Sequence, residues 1–146
     1  MSLKRLLAQG RLRNHKATQT EIHQLLNIAD RDLADARVKG LSSDRRFLIA
    51  YEAALALATI PLYCSCYETH GQGHHWVTFQ CLPEVMGADA TEAAEYFDLC
   101  RTKRNLSAYD RSGQISQTES KELLSEAKAF KSTVQAWLRA ECPQFL

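Results

Sequence analysis

The sequence has no excess of one sign of charge. Its 18 Lys and Arg against 17 Asp and Glu give a net charge of +1, which excludes a molecule-wide field for nucleic acid or a membrane surface. It lacks an uninterrupted apolar run of the roughly 18 residues that a bilayer-spanning helix needs. The nearest approach, FLIAYEAALALATIPLYCSCY, begins at Phe47 after two arginines and carries Glu52 and Pro61. That stretch reads as a buried helix, and no membrane partner is expected. A glycine-rich phosphate loop is also missing, because GQGHH has neither the lysine nor the preceding strand such a loop requires. There is no internal repeat, no low-complexity segment and no credible strand pair, WVTFQC being short and flanked by helical patterns. Five cysteines, an odd number in 146 residues, argue against a secreted disulfide scaffold and for a reducing, cytoplasmic setting.

What charge there is lies unevenly. Residues 1–17 hold Lys4, Arg5, Arg11, Arg13 and Lys16 with no acid, so residues 18–146 carry a net charge of minus four. The basic segment resembles a transit peptide in charge, yet it is poor in serine and lacks the apolar centre of a secretory signal. It reads as a frayed or loosely docked arm on a mildly acidic body.

The body is long enough for one core, and it is punctuated by helix starts. Thr18-Gln19-Thr20-Glu21 is a capping box, followed by a stripe of Ile22, Leu25, Leu26, Ala29, Leu33 and Ala36, with Gly40 as a stop signal. Ser43-Asp44 opens a second helix with Phe47, Tyr51, Ala54, Leu55, Ala58 and Leu62 on one face and a kink between Leu57 and Pro61. Residues 74–82 form a shorter helix closed by Pro83 and Gly87. Another begins near Asp89-Ala90-Thr91-Glu92, with Ala93, Tyr96, Phe97 and Cys100 facing inward. A second capping box, Ser116-Gln117-Thr118-Glu119, precedes the cleanest stripe, Leu123, Ala127, Phe130, Val134 and Trp137. The fold expected is all-α: a four-helix up-and-down bundle with an extra short helix over residues 18–146.

Two stretches offer chemistry. CSCYETHGQGHHWVTFQC supplies Cys64, Cys66, His70, His74, His75 and Cys81, but tetrahedral zinc sites use paired knuckles such as C-x2-C or H-x3-H. On a helix Cys64 and Cys66 would point about 160° apart. Structural cysteines with surface or capping histidines are expected, with no metal and no cofactor. No glycine-tight elbow or helix-start cysteine marks a nucleophile.

The second stretch is CRTKRNLSAYDR, residues 100–111. If its helix runs on through residue 109, Arg101, Asn105 and Tyr109 share a face, with Arg104 beside Arg101 and Lys103 close by. Guanidinium forks match phosphate oxygens, and a phenol stacks on a base or donates a hydrogen bond. An RNA or nucleotide contact is one reading. The other is equally concrete: cations complement the C-terminal end of a helix dipole, and Asp98 and Asp110 pair with the arginines.

The segments LLNIADRDLADA, DRRFLIAYEAALALA, GHHWVTF and RTKRNLSAYD, followed by a long amphipathic helix, occur in this order across roughly residues 18 to 140. Together they resemble the HEPN superfamily, the "higher eukaryotes and prokaryotes nucleotide-binding" domains. The resemblance implies a four- or five-helix bundle, a homodimer, and a place in prokaryotic toxin–antitoxin, defence or RNA-processing systems. A cognate nucleotidyltransferase or antitoxin is the partner it suggests. Ribonuclease members of that superfamily carry an arginine, a polar residue and, a few positions on, a histidine. Arg104 and Asn105 match the first two, and Tyr109 stands where the histidine would.

That replacement has a chemical consequence. Metal-independent RNA cleavage needs a group that exchanges protons near pH 7, which imidazole does with an ordinary pKa of about 6.5. A phenol near pKa 10 is a poor base. The expectation is therefore a non-catalytic or weakly catalytic domain that binds RNA, nucleotide or a cognate protein through Arg101, Lys103, Arg104, Asn105 and Tyr109. Two alternatives stand beside it: a metal-independent endoribonuclease using Arg104, Asn105 and Tyr109 or a histidine from elsewhere, and an interaction module with no nucleic-acid role. His74 or His75 reaches Arg104 only if their helix packs beside it. A dimer is suggested further by the aromatic residues Tyr96, Phe97 and Tyr109 around the motif.

Overall fold

The computed structural model describes residues 2–106 and 108–146. The chain is mostly helical, in the order α1 (Leu3–Ala8), β1 (Leu12–Asn14), α2 (Gln19–Asp35), α3 (Ser43–Cys64), β2 (Tyr67–Thr69), α4 (His74–Met86), α5 (Thr91–Arg104), α6 (Ala108–Arg111) and α7 (Gln117–Glu141). Short 3-10 turns precede α5 and close the chain.

Both capping boxes form as read. Thr18 Oγ1 accepts from the Glu21 N–H at 3.2 Å while Glu21 Oε1 accepts from the Thr18 N–H at 3.0 Å, and Ser116 and Glu119 repeat the exchange. Each box satisfies two backbone donors that a helix start otherwise leaves orphaned.

The middle of the fold is α3. It packs most extensively against α7 and α2, and its other side meets α4 and α5. Phe47, Ala50, Tyr51, Ala53, Ala54, Leu57, Ala58 and Ile60 are all buried along it, and the alanines let flanking helices approach closely. By length and composition α3 could cross a bilayer, so Glu52 and Pro61 do not disqualify it as the sequence reading held. Most of its apolar window is instead buried within the fold. It continues through Pro61 to Cys64. Likewise α4 continues through Pro83 to Met86, where Gly87 at φ +97° ends it.

An aromatic ladder ties four helices together. Tyr51 and Phe79 have ring centroids 6.0 Å apart, Phe79 and Phe97 5.9 Å, and Phe97 and Phe130 5.2 Å, within the range of favourable aromatic pairs. Behind it, buried Arg46 donates to the carbonyls of Ala36 and Val38 and to Gln117 Oε1 at 2.8, 3.1 and 2.9 Å. It thereby satisfies acceptors left by the end of α2 and joins them to the start of α7. The stripe of α7 runs through Leu123, Ala127, Phe130, Val134 and Leu138; Trp137 is half-buried at its edge.

The N-terminal segment corrects two expectations. It is neither frayed nor free of strand pairing (Met1 lies outside the described residues). β1 runs antiparallel to β2 with Leu12 opposite Thr69, Arg13 opposite Glu68 and Asn14 opposite Tyr67. Leu6 and Leu12 are fully or nearly fully buried in a second apolar cluster with Leu62, Val77 and Cys81. Beside it His15 is clasped between Glu21 at 2.8 Å and Glu68 at 3.1 Å, and Arg13 pairs with Glu68. The turn into β2 also takes Cys66 out of α3. It is exposed at φ +69°, so the helical geometry assumed for Cys64 and Cys66 does not apply.

Candidate functional site

The second half of α5 presents Asp98, Arg101, Lys103 and Arg104 near its C-terminal end, where cations complement the helix dipole. Arg101 Nε donates to Asp98 Oδ1 at 2.7 Å, one turn back. Arg104 reaches across to α3. Its Nη2 donates to Glu52 Oε1 at 3.3 Å, and its guanidinium carbon lies 6.0 Å from the Tyr51 ring centroid. The hydroxyl of Tyr51 in turn lies 2.9 Å from Nδ1 of His75, the second residue of α4. That helix starts from Gly73 at φ +74° with no side-chain cap and no acid in its first turn, so none of its own side chains offsets the positive end of its dipole. Three helices thus gather Arg104, Glu52, Tyr51 and His75.

The protonation states follow from burial. Tyr51 is fully buried, and burial pushes its hydroxyl well above the ordinary phenol range, against the pull of Arg104. Burial, with Arg104 adding to it and Glu52 opposing, lowers the His75 pKa. At neutral pH the phenol keeps its proton and the imidazole is uncharged. Among the described residues, the hydroxyl's hydrogen-bond partner is Nδ1 of His75. A buried O–H left without an acceptor is costly, so Tyr51 donates to Nδ1. The imidazole proton therefore resides on Nε2, which makes His75 a hydrogen-bond donor towards its open side.

The charges here nearly balance: Arg101 and Arg104 against Asp98 and Glu52. The Arg104–Glu52 contact is single-pronged, and its side chains are 38% and 45% exposed. Such a pair contributes little to stability and can exchange its carboxylate for a phosphate oxygen.

The expected helix through residue 109 does not form. α5 ends at Arg104, and Asn105 is its C-cap, its N–H donating to the Arg101 carbonyl at 3.0 Å. Tyr109 sits on the separate α6 and is 90% exposed. Arg101, Asn105 and Tyr109 consequently do not share one helical face. Lys103 turns the other way, pairs with Glu119 of α7, and lines a cavity of about 320 Å³ with Phe47, Tyr96 and Leu99. The structure brings Arg101 and Arg104 together, leaves Asn105 exposed at their helix end, and sets Lys103 and Tyr109 apart.

Sequence reasoning missed two members of the cluster. In the sequence Tyr51 reads only as core and Glu52 only as an interruption of an apolar run. The one signal for them was an acid next to a tyrosine on a helix with no other acid from Phe47 to Tyr67. Among the described residues, no three His, Cys, Asp or Glu side chains converge as metal ligands. Burial raises the thiols of Cys64 and Cys81 to about 12 and that of Cys100 to about 11, which keeps them protonated and poorly nucleophilic.

No family model, curated protein or solved structure matches the chain.

Proposed function

We propose that the chain is an HEPN-like helical domain of the kind found in prokaryotic toxin–antitoxin, defence or RNA-processing systems, and that it binds RNA phosphate at the Arg104 cluster with little or no cleavage. The observation that carries this reading is that Arg104 lies over the ring of the buried Tyr51, whose hydroxyl is 2.9 Å from Nδ1 of His75; with the tautomer argued above, the outer nitrogen of His75 is a donor. Two donors, one charged and one neutral, then face an oxygen ligand, and the Glu52 carboxylate is weakly enough held to yield. An imidazole whose Nδ1 is occupied and whose Nε2 carries the proton is poorly placed to accept a proton from a ribose hydroxyl. The exposed Asn105, at the same helix end as Arg104, is a contact for a base or a partner protein, and Tyr109, on the separate α6, serves a partner protein rather than proton transfer at this site.

A second reading, metal-independent ribonuclease, is favoured by one feature: a histidine does stand beside Arg104, supplied by α4. One experiment separates the two. RNA is incubated with the protein in EDTA, and both binding and chain length are followed, with Arg104→Ala in parallel. Binding without shortening, weakened by the substitution and by added salt, supports the binding reading. Cleavage abolished by the substitution supports the nuclease. If the substitution changes neither, the Arg104 site is not an RNA site.

We propose further that a second copy covers the exposed apolar side chains Leu99, Leu106 and Tyr109, which are 67%, 43% and 90% exposed at the end of α5 and on α6. A 16.5 kDa species alone in sedimentation at micromolar concentration would exclude that homodimer.

A further inference from the structure

The reading above leaves the basic segment 1–17 without a role, together with His70 and His74. The fold seats this segment against the first turn of α4, the turn that also carries His75. Arg11 lies with its guanidinium carbon 4.7 Å from the Trp76 ring centroid, and a Cβ added at Gly73 would meet its Nη2 at 3.5 Å. Arg13 Nη1 is 3.5 Å from Nδ1 of His70, and Nδ1 of His74 is 3.0 Å from Thr69 Oγ1. From Trp76 the chain passes directly to His75, which bonds Tyr51, over which Arg104 sits. A continuous succession of contacts therefore leads from β1, across the start of α4, to the end of α5.

Tyr51 lies fully buried beneath this path; the other side chains that line it, Arg11, Arg13, His70, His74, His75, Trp76 and Arg104, are cationic or hydrogen-bond donors and exposed or half-buried. Two carboxylates lie on it: Glu68 engages Arg13 and Glu52 engages Arg104. Among the described residues Arg11 has no carboxylate partner; it is held by Trp76 instead. The path is thus open to phosphates near its middle. Pairing of β1 with β2 and burial of Leu6 and Leu12 fix the arm's backbone in place, while Trp76 holds Arg11 and Glu68 engages Arg13, which lowers the ordering entropy lost when they take a ligand.

We propose that the docked arm and the Arg104 cluster form one binding track for single-stranded RNA, with Arg11 and Arg13 holding backbone phosphates on one side of the α4 start and Arg104 with His75 holding another. This deepens the binding reading and rests on it. A mononucleotide would occupy only the Arg104 end, whereas a strand engages both. Guanidinium groups interleaved with an aromatic side chain suit a single strand, in which backbone and bases are both accessible.

The test measures binding of a 12-nucleotide RNA strand, the same RNA as a duplex, AMP and a poly-glutamate chain to the full-length protein by fluorescence anisotropy and calorimetry. Variants are Arg11→Gln with Arg13→Gln, Arg11→Lys with Arg13→Lys, and Arg104→Gln. The expected result is that the double Gln variant binds the strand about tenfold more weakly, the loss of a charge-assisted hydrogen bond or more. Its log–log salt slope falls by about 1.4, the value for two single-strand phosphate contacts. AMP binding is unchanged, and the double Lys variant keeps most of the slope. Arg104→Gln weakens strand and AMP alike.

Strand affinity unchanged in the double Gln variant but lost in Arg104→Gln overturns the track and leaves the Arg104 reading standing. No binding of RNA or AMP by the wild type removes both. Equal losses in the Lys and Gln pairs show a structural role for the arm and overturn the track, as does preference for the duplex or for poly-glutamate over the strand.

Discussion

The Tyr51 hydroxyl lies 2.9 Å from Nδ1 of His75, joining the middle of α3 to the first turn of α4 and setting which imidazole nitrogen faces outward. Replacing Tyr51 with Phe removes the donor and leaves Nδ1 facing an apolar edge. Two consequences are expected. Stability falls by about 1–2 kcal/mol, the cost of leaving a partly buried polar group unpaired. The His75 pKa also rises, because the lost bond favoured the neutral ring. Nitrogen-detected NMR on both proteins reads the tautomer and the titration together. An Nε2–H signal and a pKa that survive the change would show that the phenol does not control the imidazole.

The lowered His75 pKa makes stability depend on pH with a definite sign. The folded protein binds this proton less readily than the unfolded chain, chiefly because of burial and then Arg104. The contribution is fully present above the unfolded value of about 6.5 and is lost as pH falls through that value towards the folded one. Between pH 7 and pH 5 the Tm of the wild type should therefore fall more than that of His75→Gln. Parallel Tm curves for the two proteins would mean that His75 titrates alike in the folded and unfolded states.

Docking of the N-terminal arm rests on a few buried side chains, chief among them Leu6, which is 0% exposed. Leu6→Ala should cost about 2–5 kcal/mol of local stability, the range for truncating a buried leucine. Trypsin should then cut at Arg11 and Arg13 sooner than elsewhere in the chain. Identical digestion of variant and wild type would mean that the arm is not held by this cluster.

The parts of this architecture that were legible in the sequence are local ones. Thr18 with Glu21 and Ser116 with Glu119 announce their helices because a capping box is complete within four residues. The stripe of α7 repeats often enough to define a face, and only its last position shifts, from Trp137 to Leu138, since 134 and 138 are a full turn apart. By contrast β1 is three residues long and its partner lies 55 residues away in sequence, Arg13 against Glu68, so neither strand carries enough alternation to be seen. The end of α5 was hidden for a different reason. No Gly or Pro follows Arg104 until Gly113, and the helical pattern runs on past the point where the chain turns. The meeting of Tyr51, His75 and Arg104 joins three helices, and no local signal encodes it.

Glu52 decides between the two chemistries open to the site. It accepts from Arg104 at 3.3 Å, so for a bound phosphate it is a competitor for the guanidinium. If the site binds without cutting, Glu52→Gln removes that competitor and a negative charge, and RNA affinity should rise about threefold to tenfold, the scale of one exchangeable charge interaction. If the site cleaves RNA, the same carboxylate, which contacts Arg104 and acts on His75, is the candidate to accept the ribose proton, and Glu52→Gln should abolish cleavage. A single preparation assayed for both affinity and chain length gives the two signs independently. Tighter binding with intact RNA assigns Glu52 as a gate on Arg104, and lost cleavage assigns it as a base. An unchanged protein on both counts would place the RNA contact away from α3.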